Sequence, residues 1–181
     1  MAVGREVVVV GAGIVGISLA HALATRDIGV TVLDRDAQEP RGSTAYAPGF
    51  VGLYNDVPVL TRLGRESAAI YNAADGGFRR SGGLELATSD AGVAEVERRV
   101  EAARAAGLRA ELLTAADIPS SVAAFVDTGL VLTAGHFVDD GSADVRALTR
   151  VLRRRRSLAA RGCCVIAKSR VSISEDRVRS W

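Results

Sequence analysis

Gly11, Gly13 and Gly16 form a Gly-x-Gly-x-x-Gly turn, and Asp34 stands 18 residues beyond the last of them. These residue types in this spacing can do chemistry. Glycine at 11 permits a tight turn after a strand, glycine at 13 leaves the backbone open to a pyrophosphate, and glycine at 16 lets a helix pack close to a sheet. The phosphates then sit at the positive end of the helix, on its free backbone N–H groups. Asp34 supplies the carboxylate that a ribose hydroxyl needs, close to the usual spacing of about 20 residues. A carboxylate repels a 2′-phosphate, so the pattern favours an adenosine without one. That leaves Arg35 beside the adenine or in solvent.

The elements around these residues fit that reading. Val7–Val10 reads as a strand, Ile14–Arg26 as a helix with Ile17, Ala20, Leu23 and Ala24 at helical spacing, and Val30–Asp34 as a second strand after Gly29. Both strands are nearly all apolar, as in a parallel sheet covered on both faces. A second cluster runs from Gly42 to Phe50, with Ser43, Thr44, Ala45 and Tyr46 between glycines and Pro48. Its small residues and hydroxyls suit a backbone held against a flat or anionic ligand, and suit an ordinary turn-rich loop equally well.

Further along, helices are expected over Val57–Ala74 and Ala91–Ala106. Strand material is expected over Phe78–Ser89 and Leu108–Leu113, and strand and loop over Val122–Val138. Thr114 and Asp117 have the spacing of a capping box, and Pro119 should stop that turn. Asp139, Asp140 and Asp144 suit the positive N-terminus of a helix expected over 142–161, with Val145, Leu148 and Leu152 buried. Arg153, Arg154, Arg155 and Arg156 occupy all faces of one turn, so one of them must lie along apolar surface and extend its head to water. Cys163–Ala167 and Arg170–Ser174 read as strands, followed by a turn at Glu175-Asp176 and a returning strand from Val178. Trp181 falls inside that hairpin, and a longer polypeptide is expected.

Composition narrows the classes. The chain has 181 residues, 48% hydrophobic, with a net charge of +2 and 4% aromatics. That argues against a polyanion partner or a stacking platform for nucleic acid. The adjacent Cys163 and Cys164 have no metal-type spacing and read as small buried residues. His21 and His136 are isolated in sequence, and no metal site is expected. The apolar run Val7–Ala24 contains the turn glycines, so it reads as a dinucleotide unit and not as a membrane span. A cytoplasmic location is the expectation.

Three signals in order resemble the amino-acid oxidase (DAO) superfamily of FAD-dependent oxidoreductases: Gly11–Gly16 with Asp34, then Gly42-Ser43-Thr44-x-x-Ala47-Pro48-Gly49, then Gly82-Gly83-Leu84-Glu85-x-Ala87. The nearest likeness is to the dimethylglycine oxidase and sarcosine dehydrogenase branch. The resemblance implies an α/β fold: a Rossmann-like, glutathione-reductase-type FAD-binding domain from 1–50 and 139–181. An incomplete α+β part of the substrate domain is inserted at 51–138. It implies that Gly11, Gly13, Ile14, Val15 and Gly16 cradle the pyrophosphate and that Asp34 and Arg35 meet the adenosine. Ser43, Thr44, Ala45, Tyr46 and Phe50 would lie along the pyrophosphate-to-flavin region, and Val171 would touch the adenine. Such enzymes move a hydride from a carbon next to an amine to the flavin, and the imine formed is hydrolysed. Tyr46 stands where that branch has a flavin-linking histidine, which implies non-covalent FAD. Residues that act on the substrate lie further along in the family, so no catalytic residue is assigned, and the chain is expected to be inactive without a complementing C-terminal polypeptide. Two other readings remain: a non-catalytic flavin-binding regulatory or interaction subunit, and an NAD-dependent dehydrogenase.

Overall fold

The computed structural model describes residues 6–36, 39, 42–74, 77–159 and 166–168. They fall into two compact units, one within Met1–Ala47 and Val145–Trp181, the other within Pro48–Asp144. The mixed α/β class expected from the sequence is the class observed.

The first unit begins with β1 (Glu6–Val10), α1 (Ile14–Ala24), β2 (Gly29–Asp34) and the short α2 (Ser43–Tyr46). The strands β1 and β2 pair in parallel, with Val8 opposite Thr31 and Val10 opposite Leu33. Parallel neighbours need a crossover, and α1 supplies it. Ile17, Ala20 and Ala24 of α1 are buried, at the spacing of one helical face. The helix ends where Asp27 takes a left-handed φ of 57° and the Ile28 N–H returns to the Leu23 carbonyl at 3.2 Å.

In the second unit the chain forms β3 (Phe50–Val51), α3 (Pro58–Asn72), β4 (Phe78–Arg79), β5 (Gly83–Ala87), α4 (Asp90–Ala105), β6 (Ala110–Leu113), α5 (Ser120–Ala123), β7 (Thr133–Phe137) and β8 (Gly141–Ala143). An antiparallel sheet in the order β5-β7-β6 carries α4 on one face. Leu53, Ala87, Val96, Val100, Ala103, Leu108 and Phe137 belong to its core. Gly135 in β7 lets α4 lie close, because a Cβ there would stand 3.0 Å from Val100. A second small sheet has the order β3-β8-β4. Ser89 caps α4 by accepting the Gly92 N–H at 3.2 Å. Thr114 and Asp117 close the capping box that their spacing predicts.

The first unit resumes with α6 (Val145–Ala159) and β9 (Ile166–Lys168), which pairs in parallel with β2 to give the order β1-β2-β9. Leu148 and Leu152 are buried as expected, together with Thr149, whose hydroxyl donates to the Val145 carbonyl at 2.7 Å.

Three local expectations are corrected. The helix expected over 142–161 starts at Val145, because Gly141–Ala143 is a strand between β3 and β4. Asp139 and Asp140 therefore lie in the turn before β8 and do not serve a helix N-terminus. Asp140 accepts the Leu53 N–H at 2.8 Å and Asp139 accepts from Arg109. The turn begun at Thr114 ends at Asp117, ahead of Pro119 as expected, but the strand and loop expected over Val122–Val138 begin in α5, whose N–H groups at Val122 and Ala123 bond the Pro119 carbonyl. The Cys163 and Cys164 strand, the 170–178 hairpin and Val171 lie outside the described residues.

Candidate dinucleotide site

The glycine turn of the first unit is built by backbone geometry. Gly11 has a φ of +105°, a region that L side chains rarely adopt, and its N–H bonds the Leu33 carbonyl of the neighbouring strand at 2.7 Å. Gly13 is the N-cap of α1 and has no side chain to cap it. Gly16 lies against the strand end: a Cβ there would stand 1.9 Å from the Gly11 carbonyl oxygen. This is the close helix approach that the spacing implied. The first turn of α1 carries no acidic residue of its own.

Asp34 closes the turn from the other side. Its Oδ2 accepts the Ala12 N–H at 2.5 Å and its Oδ1 accepts the Asp36 N–H at 2.9 Å. The carboxylate thus sits where β2 ends, beside the turn, with acceptor capacity left for a hydroxyl. Arg35 follows it and is exposed.

The second cluster meets the first within the same unit. Thr44, only 8% exposed, accepts the Ile14 N–H on Oγ1 at 3.0 Å. A Cβ at Gly13 would come within 2.7 Å of that oxygen. Ser43 is exposed and Ala45 is half-buried on the same short helix, and Tyr46 is 82% exposed. Gly11, Gly13, Ile14, Gly16, Asp34 and Thr44 are therefore brought together, and Val15 is exposed on the first turn of α1. Phe50 belongs to the second unit, where its ring lies against Gly52 and Gly83.

The residues fit a dinucleotide. The glycine turn, the start of α1 and a ribose-competent carboxylate occur in one place, and a Cβ at 13 or 16 would run into Thr44 or the Gly11 carbonyl.

The sequence matches the DAO family, FAD dependent oxidoreductase, over residues 6–181. The chain belongs to this family. Solved structures similar to this DAO-family chain include L-proline dehydrogenase from P. horikoshii, at 24% identity and a TM-score of 0.80, with 91% of this chain and 44% of that one covered. Glycine oxidase from Bacillus cereus ATCC 14579 is 21% identical with a TM-score of 0.70, covering 91% of this chain and 46% of that one. Iminodiacetate oxidase from Chelativorans sp. BNC1 is 23% identical with a TM-score of 0.67, covering 90% and 46%. These likenesses show the DAO fold. The chain spans less than half the length of these relatives.

Two arginines near the turn were not assigned from the sequence. Arg153 donates to the Ala12 carbonyl at 3.1 Å and Arg146 to the Ala45 carbonyl at 3.2 Å. Arg153, one of the four successive arginines of which one was expected to lie along apolar surface with its head in water, is half-buried, and its head meets a backbone carbonyl. Spacing on α6 was the available signal.

In the second unit, two neighbouring carboxylates are shifted in opposite directions. Burial pushes the Asp140 carboxyl up, against the Leu53 N–H bond, and the Glu85 and Asp139 charges add to the rise. Burial also acts on Asp139, but the Arg109 side-chain and backbone bonds and the Arg109 and Arg80 charges outweigh it, leaving that carboxyl below its usual value. His136 Nδ1 lies 2.8 Å from Glu111 Oε1 across two paired strands. Among the described residues no group of three or more His, Cys, Asp or Glu side chains could hold a metal, and no helix is long and apolar enough to cross a membrane.

Proposed function

We propose that this chain is the FAD-binding part of an oxidoreductase that oxidises N-methyl amino acids or related secondary and tertiary amines, with dimethylglycine and sarcosine as model substrates. The first unit, with Gly11, Gly13, Ile14, Val15, Gly16, Asp34, Arg35, Ser43, Thr44, Ala45, Tyr46 and Val171, holds the diphosphate and adenosine. The second unit is part of the substrate domain. The Thr44–Ile14 bond carries this reading: it ties the two ligand-facing segments into one cradle at the start of α1. The flavin, when bound, supplies the hydride acceptor, and the protein orients it and the amine.

Similar folds occur in enzymes named for proline and iminodiacetate, both secondary amines, and for glycine. This supports an amine substrate. Tyr46 takes the place of a linking histidine, which supports non-covalent FAD. Among the described residues β1 has only β2 beside it, and its Val8 and Val10 are 57% and 81% exposed. Parallel sheets are normally covered on both faces, which supports a complementing C-terminal polypeptide.

The test is to mix the purified chain with FAD, separate by gel filtration and read the flavin spectrum. Bound flavin with a shifted spectrum is expected, and colourless protein overturns the reading. Stronger thermal protection by NAD than by FAD would point to a dehydrogenase. Co-expression with the downstream polypeptide should strengthen flavin retention and give turnover of sarcosine or dimethylglycine. Flavin retention without turnover of any amine would favour a regulatory subunit.

A further inference from the structure

Helix α6 carries Arg146, Arg150 and Arg153 at i, i+4 and i+7, on one face. Each reaches a different segment of the first unit. Arg146 Nη2 donates to the Ala45 carbonyl at 3.2 Å, Arg150 pairs with Glu39 at 3.3 Å, and Arg153 Nη2 donates to the Ala12 carbonyl at 3.1 Å. Leu148, Thr149 and Leu152 are buried, which fixes the helix and the direction of this face.

Ala12 is held between two charges. Its N–H donates to Asp34 and its carbonyl accepts from Arg153. The Ala12–Gly13 peptide is trans. In a planar trans peptide, the carbonyl and the next N–H point in opposite directions. A carbonyl fixed toward Arg153 therefore aims the Gly13 N–H away from Arg153. A cationic donor on the carbonyl also polarises the peptide and strengthens that N–H as a donor. Asp34 already takes the Ala12 N–H and Thr44 the Ile14 N–H, so the Gly13 N–H lies between two engaged neighbours at the start of α1.

We propose that Arg153 is a positioning residue of the diphosphate site, setting the Ala12–Gly13 peptide so that the Gly13 N–H faces a bound diphosphate. Arg146 braces α2 in the same way through Ala45. This inference rests on the dinucleotide reading above and names residues that the glycine pattern does not contain.

The test measures binding of ADP and FAD by the full chain, with adenosine as a competitor that lacks phosphates. Arg153→Met is expected to weaken ADP and FAD about ten-fold, the scale of one charge-assisted hydrogen bond, while adenosine competes as before. Arg153→Lys, which keeps a cationic donor, should recover most of the loss. Unchanged ADP affinity in Arg153→Met overturns the role. Equal losses for ADP and adenosine overturn it too, because they mark a loosened unit. If the methionine variant does not fold, Arg153→Gln decides, and ADP affinity equal to that of the unaltered chain overturns the role. An unaltered chain that binds neither ADP nor FAD overturns the dinucleotide reading and this inference with it.

Discussion

Thr44 Oγ1 accepts the N–H of Ile14 at 3.0 Å, across 30 residues of chain. The first N–H groups of a helix are normally served by the side chain of the residue just before it. Here that residue is Gly13, and Thr44 of α2 supplies the acceptor instead. The two segments that read as ligand-facing are therefore joined into one structure.

Removing that acceptor should cost stability and binding together. Thr44→Val keeps the shape and loses the oxygen, and about 1–2 kcal/mol of stability is expected to go with it. Thr44→Ser should retain most of both. Urea unfolding and FAD titration of the two variants check this.

Gly16→Ala should be among the most damaging single changes in the first unit. The added Cβ would stand 1.9 Å from the Gly11 carbonyl oxygen, so the strand end or the helix must move. A loss of more than about 2 kcal/mol, with loss of flavin binding, is expected. Gly42→Ala is the comparison, since nothing lies within 4 Å of its Cβ and its φ is −89°. Thermal melts of both variants give the answer.

Asp139 and Asp140 should respond oppositely to acid. A raised Asp140 pKa means the folded chain keeps a proton that the unfolded chain has lost, so stability falls as pH rises from 3.8 through the raised value. Asp140→Asn keeps an acceptor for Leu53 and should be more stable than the unaltered chain at neutral pH, with the gap closing below pH 3.8. Asp139 has a lowered pKa. Its contribution is present above 3.8 and is lost as pH falls through the lowered value, so Asp139→Asn should be less stable at neutral pH, with the gap closing in acid. Urea midpoints across the acid range test both signs.

Flavin taken up by the chain should come free on acid precipitation, because Tyr46 cannot form a histidyl link. Flavin fluorescence that stays with the protein band on a denaturing gel would contradict this.

The sequence by itself determined the βαβ unit. Three glycines, two apolar strands and Asp34 are local features, and the steric causes read for the glycines are those the structure reproduces at Gly11 and Gly16. It also determined the Thr114–Asp117 capping box, which spans only one turn. The tertiary structure alone decided what lies opposite what. A three-residue strand at Gly141–Ala143 is too short to show a period, so the two preceding aspartates looked like the start of a helix until β3 and β4 were seen to flank it. Arg153 and Ala12 are 141 residues apart. No pattern in one segment can reveal that contact, because the packing of α6 against α1 is what places the guanidinium beside the turn.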